Sequence, residues 1–120
     1  MKKILISTAL IFIFLVSFAH AGSSSPVEAA RLYFKYYIGM DSRIYEYVCS
    51  DGIAPLKQLF AQRRQSGEQP INASAAMRNY DFKLVQQSGN TAIVKTIQRN
   101  PYQEFGSQMV KTNGEWKVCN

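Results

Sequence analysis

From Arg78 onward apolar residues recur at every second position, and three turn signals cut that stretch into short segments. No other feature restricts the fold as tightly. Tyr80, Phe82 and Leu84 alternate with Asp81, Lys83 and Val85 up to a turn at Gly89-Asn90. Alternation of this kind marks half-buried strands, and a two-residue turn sets the register of the hairpin it closes. That register pairs Phe82 with Ile97 and Leu84 with Lys95, and the second strand, Thr91 to Arg99, puts Ile93 and Ile97 on the Phe82 face. Asn100-Pro101-Tyr102 reverses the chain, and a three-residue loop there sets Phe105 opposite Ile97 and Met109 opposite Ile93. Asn113-Gly114 is a strong type I′ signal, placing Lys111 opposite Trp116 and Met109 opposite Val118. One face then collects Tyr80, Phe82, Leu84, Ile93, Ile97, Phe105, Met109, Trp116 and Val118. The expected sheet is an antiparallel meander of four strands.

The residues before it follow the helical period. Ser25-Pro26-Val27-Glu28 reads as a capping box with Ser25 at N-cap and Pro26 at N1. The helix runs to about Ile38, with Gly39 as its C′ residue. Val27, Ala30, Tyr33, Phe34, Tyr37 and Ile38 share a broad face that Leu32 and Tyr36 extend, so only Glu28, Arg31 and Lys35 form a polar stripe. A helix so apolar around its girth needs cover on more than one side. A second, short helix is expected from Asp41-Ser42 to about Cys49, carrying Ile44, Tyr45, Val48 and Cys49 inward, until Ser50-Asp51-Gly52 breaks it. A third spans roughly Pro55 to Gln65, with Leu56, Leu59, Phe60 and Arg63 on one face, and Ser66 to Ala76 reads as a crossing loop. Asn72-Ala73-Ser74 matches a glycosylation sequon, discounted behind a leader of bacterial type. The expected fold class is α+β, three N-terminal helices packed on a curved antiparallel four-stranded sheet.

Met1-Lys2-Lys3, the apolar run Ile4 to Phe18 and Ala19-His20-Ala21 have the order of a secretory signal peptide, cut after Ala21. Residues 22–120 then form one domain, periplasmic or secreted, with no membrane anchor after cleavage. Removing 21 residues from 120 leaves 99, with 12 basic against 8 acidic side chains and no histidine. Histidine triads, Cys-His nucleophiles and His-carboxylate metal sites are thereby excluded, and the reading calls for no metal and no cofactor. The basic excess is spread along the chain, and no aromatic-basic motif of a nucleic-acid binder is present. Cys49 and Cys119 both lie in the exported part, where an even pair reads as a disulfide. One detail opposes it, since Cys119 has the opposite strand parity to Trp116 and Val118.

The stretch Ser25-Pro26-Val27-Glu28-Ala29-Ala30-Arg31-Leu32-Tyr33-Phe34, the joint Gly39-Met40-Asp41 and the closing Asn113-Gly114-Glu115-Trp116-Lys117-Val118 resemble the nuclear transport factor two-like superfamily. The likeness is to secreted bacterial members of unassigned function related to the lumazine-binding-like group, and it extends by element order over nearly all of residues 22–120. It implies a cone-shaped, cystatin-like α+β fold with a cavity between the curled sheet and the first helix. Candidate lining residues are Tyr33, Tyr37, Phe60, Arg63, Tyr80, Phe82 and Trp116. A small-ligand pocket has that composition, and so does a filled core. Arg63 would either neutralise an anionic ligand or snorkel at its helix end. The expected role is an exported binding module without catalytic residues, holding a small apolar or aromatic ligand or a protein partner. One alternative is a ketosteroid-isomerase-like or cyclase-like enzyme using a cavity carboxylate and a tyrosine, with Asp41 and Asp81 as the acidic candidates. The other is an accessory protein that meets an envelope component or a second copy of itself.

Overall fold

The computed structural model describes residues 25–120, and the leader expected over residues 1–21 lies outside them. Helix α1 (Pro26–Ile38) is followed by a 3₁₀ segment (Ser42–Tyr47), α2 (Ser50–Gln65), the short α3 (Ala73–Ala76) and a 3₁₀ turn (Met77–Asn79). Strands β1 (Tyr80–Ser88), β2 (Thr91–Gln98), β3 (Gln103–Thr112) and β4 (Glu115–Val118) complete the chain. They form one antiparallel sheet in sequential order, so the fold is α+β with helices and a four-stranded meander.

Helix α1 starts as its capping signal dictates. Ser25 is extended, and its hydroxyl accepts the Glu28 N–H at 3.3 Å. Its end differs by one residue from expectation. The Asp41 N–H reaches the Tyr36 carbonyl at 2.9 Å and the Met40 N–H reaches that of Tyr37 at 3.2 Å, which is the paired closure of a Schellman motif. Met40, not Gly39, is therefore the left-handed C′ residue, with φ 49° against −82° at Gly39. Left-handed backbone costs a side-chain-bearing residue about 1–2 kcal/mol. Met40 offsets this by burial, being 3% exposed among Ile44, Val48, Leu56 and Phe60.

The second helix is a 3₁₀ segment and stops before Cys49. Val48 has extended backbone because it forms an isolated parallel bridge with Val118 of β4, and no helix can run through that pairing. Ile44 and Val48 point inward as expected, joined by Tyr47. Ser50-Asp51-Gly52 is the first turn of α2 rather than a break, since Cys49 takes the N-cap and its carbonyl accepts the Gly52 N–H at 2.8 Å. A Cβ on Gly52 would lie 2.8 Å from a Val48 methyl, so the glycine serves close packing here. Pro55 falls inside α2, where it withholds the N–H that would reach the Asp51 carbonyl. The stretch read as a crossing loop contains α3, capped by the Asn72 side chain on the Ala75 N–H at 3.3 Å.

The sheet keeps one apolar face, but two of its three registers shift by one residue. The Gly89-Asn90 turn is two residues long, as predicted, with Ser88 opposite Thr91. Val85 then bulges, so Phe82 faces Thr96 and Leu84 faces Val94. The β2–β3 connection holds four residues between the paired Gln98 and Gln103, placing Phe105 opposite Thr96 and Met109 opposite Ala92. Asn79 grips that loop from outside the sheet, donating to the Asn100 carbonyl at 2.8 Å and accepting its N–H at 3.0 Å. Ala92, Val94 and Thr96 consequently take the buried positions expected for Ile93 and Ile97, and Ile93 is 38% exposed. The third register holds, with Lys111 opposite Trp116 and Met109 opposite Val118. Asn113 and Gly114 have φ 53° and 79°, the left-handed pair that a type I′ turn demands.

Helix α1 is covered on two sides. One cluster joins Ala29 and Ala30 to Tyr47 of the 3₁₀ segment and to Val94, Met109, Trp116 and Val118 of the sheet. A second joins Met40, Ile44, Val48, Leu56 and Phe60, with Tyr33, Tyr36 and Tyr37 of α1 against it. Cys49 and Cys119 form a disulfide with Cα atoms 5.2 Å apart. The parity conflict dissolves because the 48–49 segment runs along the β4 edge, where the Cys49 N–H donates to the Val118 carbonyl at 2.9 Å. Cys119 lies one residue past β4 and faces that edge, not the core face.

Candidate functional site

Tyr33 and Tyr37 stand one turn apart on α1, with rings stacked at 6.3 Å between centroids and 25° between planes. They divide two adjoining depressions. The first, about 370 Å³, lies between α1 and the sheet and reaches Thr96, Phe105 and Ser107. The second, about 260 Å³, lies against the N-terminal half of α2 and the Cys49–Cys119 bridge, with Asp51, Pro55 and Leu56 in its wall. Asn120 borders both, and its side chain is held by the Gln108 N–H at 3.0 Å. Neither tyrosine hydroxyl has a hydrogen-bond partner among the described residues. Burial pushes the Tyr33 phenol above its ordinary pKa, with a smaller contribution from neighbouring Tyr37, so its hydroxyl stays protonated and able to donate. The arrangement offers aromatic faces, two phenolic hydroxyls, a threonine, a serine, an amide and the Asp51 carboxylate.

The other residues expected in a cavity are placed elsewhere. Phe60 and Trp116 are 1% and 2% exposed and fill the two clusters on either side of α1. Tyr80 and Phe82 pack on Phe34, at centroid distances of 4.7 and 6.0 Å, in an aromatic group that Phe105 joins at 6.2 Å from Phe34. Arg63 does not reach the groove. Its guanidinium lies over the Tyr37 and Phe60 rings at 5.4 and 5.9 Å, donates to the Tyr37 carbonyl at 3.4 Å and pairs with Glu68. Of the seven, Tyr33 and Tyr37 alone line the groove.

Both acidic candidates are engaged outside it. Asp41 caps the 3₁₀ segment through the Arg43 N–H at 2.9 Å, and its ion pair with the Arg43 guanidinium spans 2.6 Å. Those hydrogen bonds hold its carboxyl below the usual range. Asp81 is exposed on the outer side of β1, 3.6 Å from Arg99. No set of three histidine, cysteine or carboxylate side chains among the described residues is arranged to hold a metal.

Sequence reasoning missed Thr96, Ser107, Asp51 and Asn120. Thr96 and Ser107 follow from the shifted registers, which a single bulge hides from any alternation count. Asp51 was read as part of a helix break, although an acidic residue just after an N-cap is itself a helix-start signal. Compared with protein-family models, characterised proteins and solved structures, the chain matches none.

Proposed function

We propose that this chain is an exported, nuclear transport factor two-like binding module that holds a small apolar or aromatic ligand and performs no catalysis. The observation that carries this reading is the stacked Tyr33–Tyr37 pair, whose hydroxyls have no partner among the described residues, beside an open apolar depression of about 370 Å³. That volume lies in the range of small-molecule sites. The leader pattern and the Cys49–Cys119 bridge support the exported location. No helix among the described residues is long and apolar enough to cross a membrane. The two carboxylates named for the enzymatic alternative, Asp41 and Asp81, are paired outside the groove.

Native mass spectrometry of the protein, purified without denaturation from the exporting cells, tests the reading. The expected result is a monomer carrying a bound small molecule that Tyr33→Leu loses. A bare monomer that also shows no amide shifts at Tyr33, Thr96 and Ser107 against a panel of aromatic fragments overturns it. An oligomer in the same spectrum favours the interaction reading, for which Leu84 and Val85 are exposed on the edge strand β1 and Ile93 on β2 beside it.

A further inference from the structure

We infer that the groove selects an organic cation, an aromatic amine or a quaternary ammonium, over neutral and anionic ligands of the same size. The inference rests on the binding reading above and names its ligand class. Among the described residues that wall the two depressions, Asp51 of the second is the one charged side chain, and none is basic. Asp51 is exposed and forms no ion pair or hydrogen bond with another side chain among the described residues.

The nearby cations are directed at other groups. Arg63 is spent on Glu68 and the Tyr37 carbonyl, Arg64 donates to the Met40 carbonyl at 3.1 Å, and Lys57 lies over the Tyr45 ring at 5.4 Å. The N-terminus of α2 would by itself favour an anion. Asp51 stands in that first turn, and the Gly52 N–H is already bound by the Cys49 carbonyl, so the helix end presents a carboxylate to the groove. An anion entering here meets a like charge with no guanidinium or ammonium to offset it. A weakly hydrated cation instead meets aromatic faces, whose negative quadrupoles attract it. Tyr33 and Tyr37 supply those faces in the depression that holds Asp51, Phe34 and Phe105 add theirs in the adjoining one, and the phenolic oxygens of the two tyrosines can accept from an ammonium N–H.

The test is an amide-shift NMR titration of the disulfide-bonded protein with benzyltrimethylammonium, benzyl alcohol and benzoate. The expected order is cation, alcohol, benzoate, with the cation roughly tenfold or more tighter than benzoate, in line with cation–π and single-charge contributions. Asp51→Asn should cut the preference for the cation over the alcohol by about fivefold. Asp51→Glu should keep the preference, which separates charge from any effect on α2. Benzoate binding as tightly as the cation, or cation affinity unmoved in Asp51→Asn, overturns the inference while leaving the groove a binding site. If none of the three probes shifts Tyr33, Tyr37 or Ser107, the binding reading itself fails, and this inference with it.

Discussion

Replacing Met40 by alanine and by glycine should reverse the usual ranking of those two residues. In a helix interior glycine is worse than alanine by about 1 kcal/mol. Met40 sits one position past α1 at φ 49°, and its side chain is buried against Ile44, Leu56 and Phe60. Met40→Ala removes that side chain, at about 2–5 kcal/mol for a buried methionine, and leaves the left-handed strain in place. Met40→Gly removes the same packing but relieves about 1–2 kcal/mol of strain. The loss of packing is the larger effect, so both variants fall below wild type, with glycine about 1 kcal/mol above alanine. Urea denaturation at constant pH, with midpoints compared at a shared slope, reads this difference directly. Ala30→Gly, inside α1 at a buried site, is the control in which glycine should cost its ordinary ~1 kcal/mol. A Met40→Gly variant less stable than Met40→Ala would refute the assignment of Met40 as the C′ residue. One more stable than wild type would show that its burial contributes less than the strain.

Three further outcomes are expected. Replacing both cysteines by alanine opens a bridge of sequence separation 70 and should cost about 4 kcal/mol by the loop-entropy relation; a urea-unfolding loss under ~1 kcal/mol contradicts that relation here. Gly52→Ala, which helix propensity would favour by ~1 kcal/mol, should instead destabilise α2 because its Cβ meets Val48 at 2.8 Å, and Val48→Ala in the same chain should recover part of the loss on thermal melting. Stability should also fall at both ends of the pH scale. The Asp41 carboxyl is lowered by its hydrogen bonds from Arg43, so its contribution is present above the unfolded pKa near ~3.9 and is lost as pH drops through the folded value. The Tyr33 phenol is raised, first by burial, so its contribution is present below ~10 and is lost as pH climbs through the folded value. Asp41→Asn should flatten the acid limb, and Tyr33→Phe the alkaline one, in melting curves taken against pH.

Local chemistry was readable where a single residue decides the geometry. Ser25 and Pro26 placed the start of α1 to the residue, and Asn113-Gly114 fixed the β3–β4 register, because cap and turn preferences act over a few positions. Registers that depend on distant partners were not readable. The Val85 bulge and the side-chain grip of Asn79 on Asn100 change which residues of β2 face inward, and neither leaves a mark in an apolar-polar count. The same holds for Val48, whose helix is cut short by a strand seventy residues later in the chain. The candidate site inherited these errors. Tyr33 and Tyr37 follow from the apolar face of α1 and the cavity that the resemblance implies, whereas Thr96 and Ser107 need the true strand pairing.

The double covering of α1 has a consequence for how the chain reaches its fold. Synthesis delivers the N-terminus first, so α1 emerges with two apolar sides and nothing yet made to cover the one that meets Val94, Met109, Trp116 and Val118. The meander can assemble from neighbouring hairpins once its residues arrive, since its contacts are short in sequence. The contacts of α1 with it span most of the domain, and the Val48–Val118 bridge waits for the last strand. Every nascent length that stops before β4 therefore leaves the floor of the helical layer incomplete. A chain truncated at Asn113-Gly114 would hold complete helices and three strands, with Val94 and Met109 beneath α1, and would still lack Trp116 and Val118 beside them.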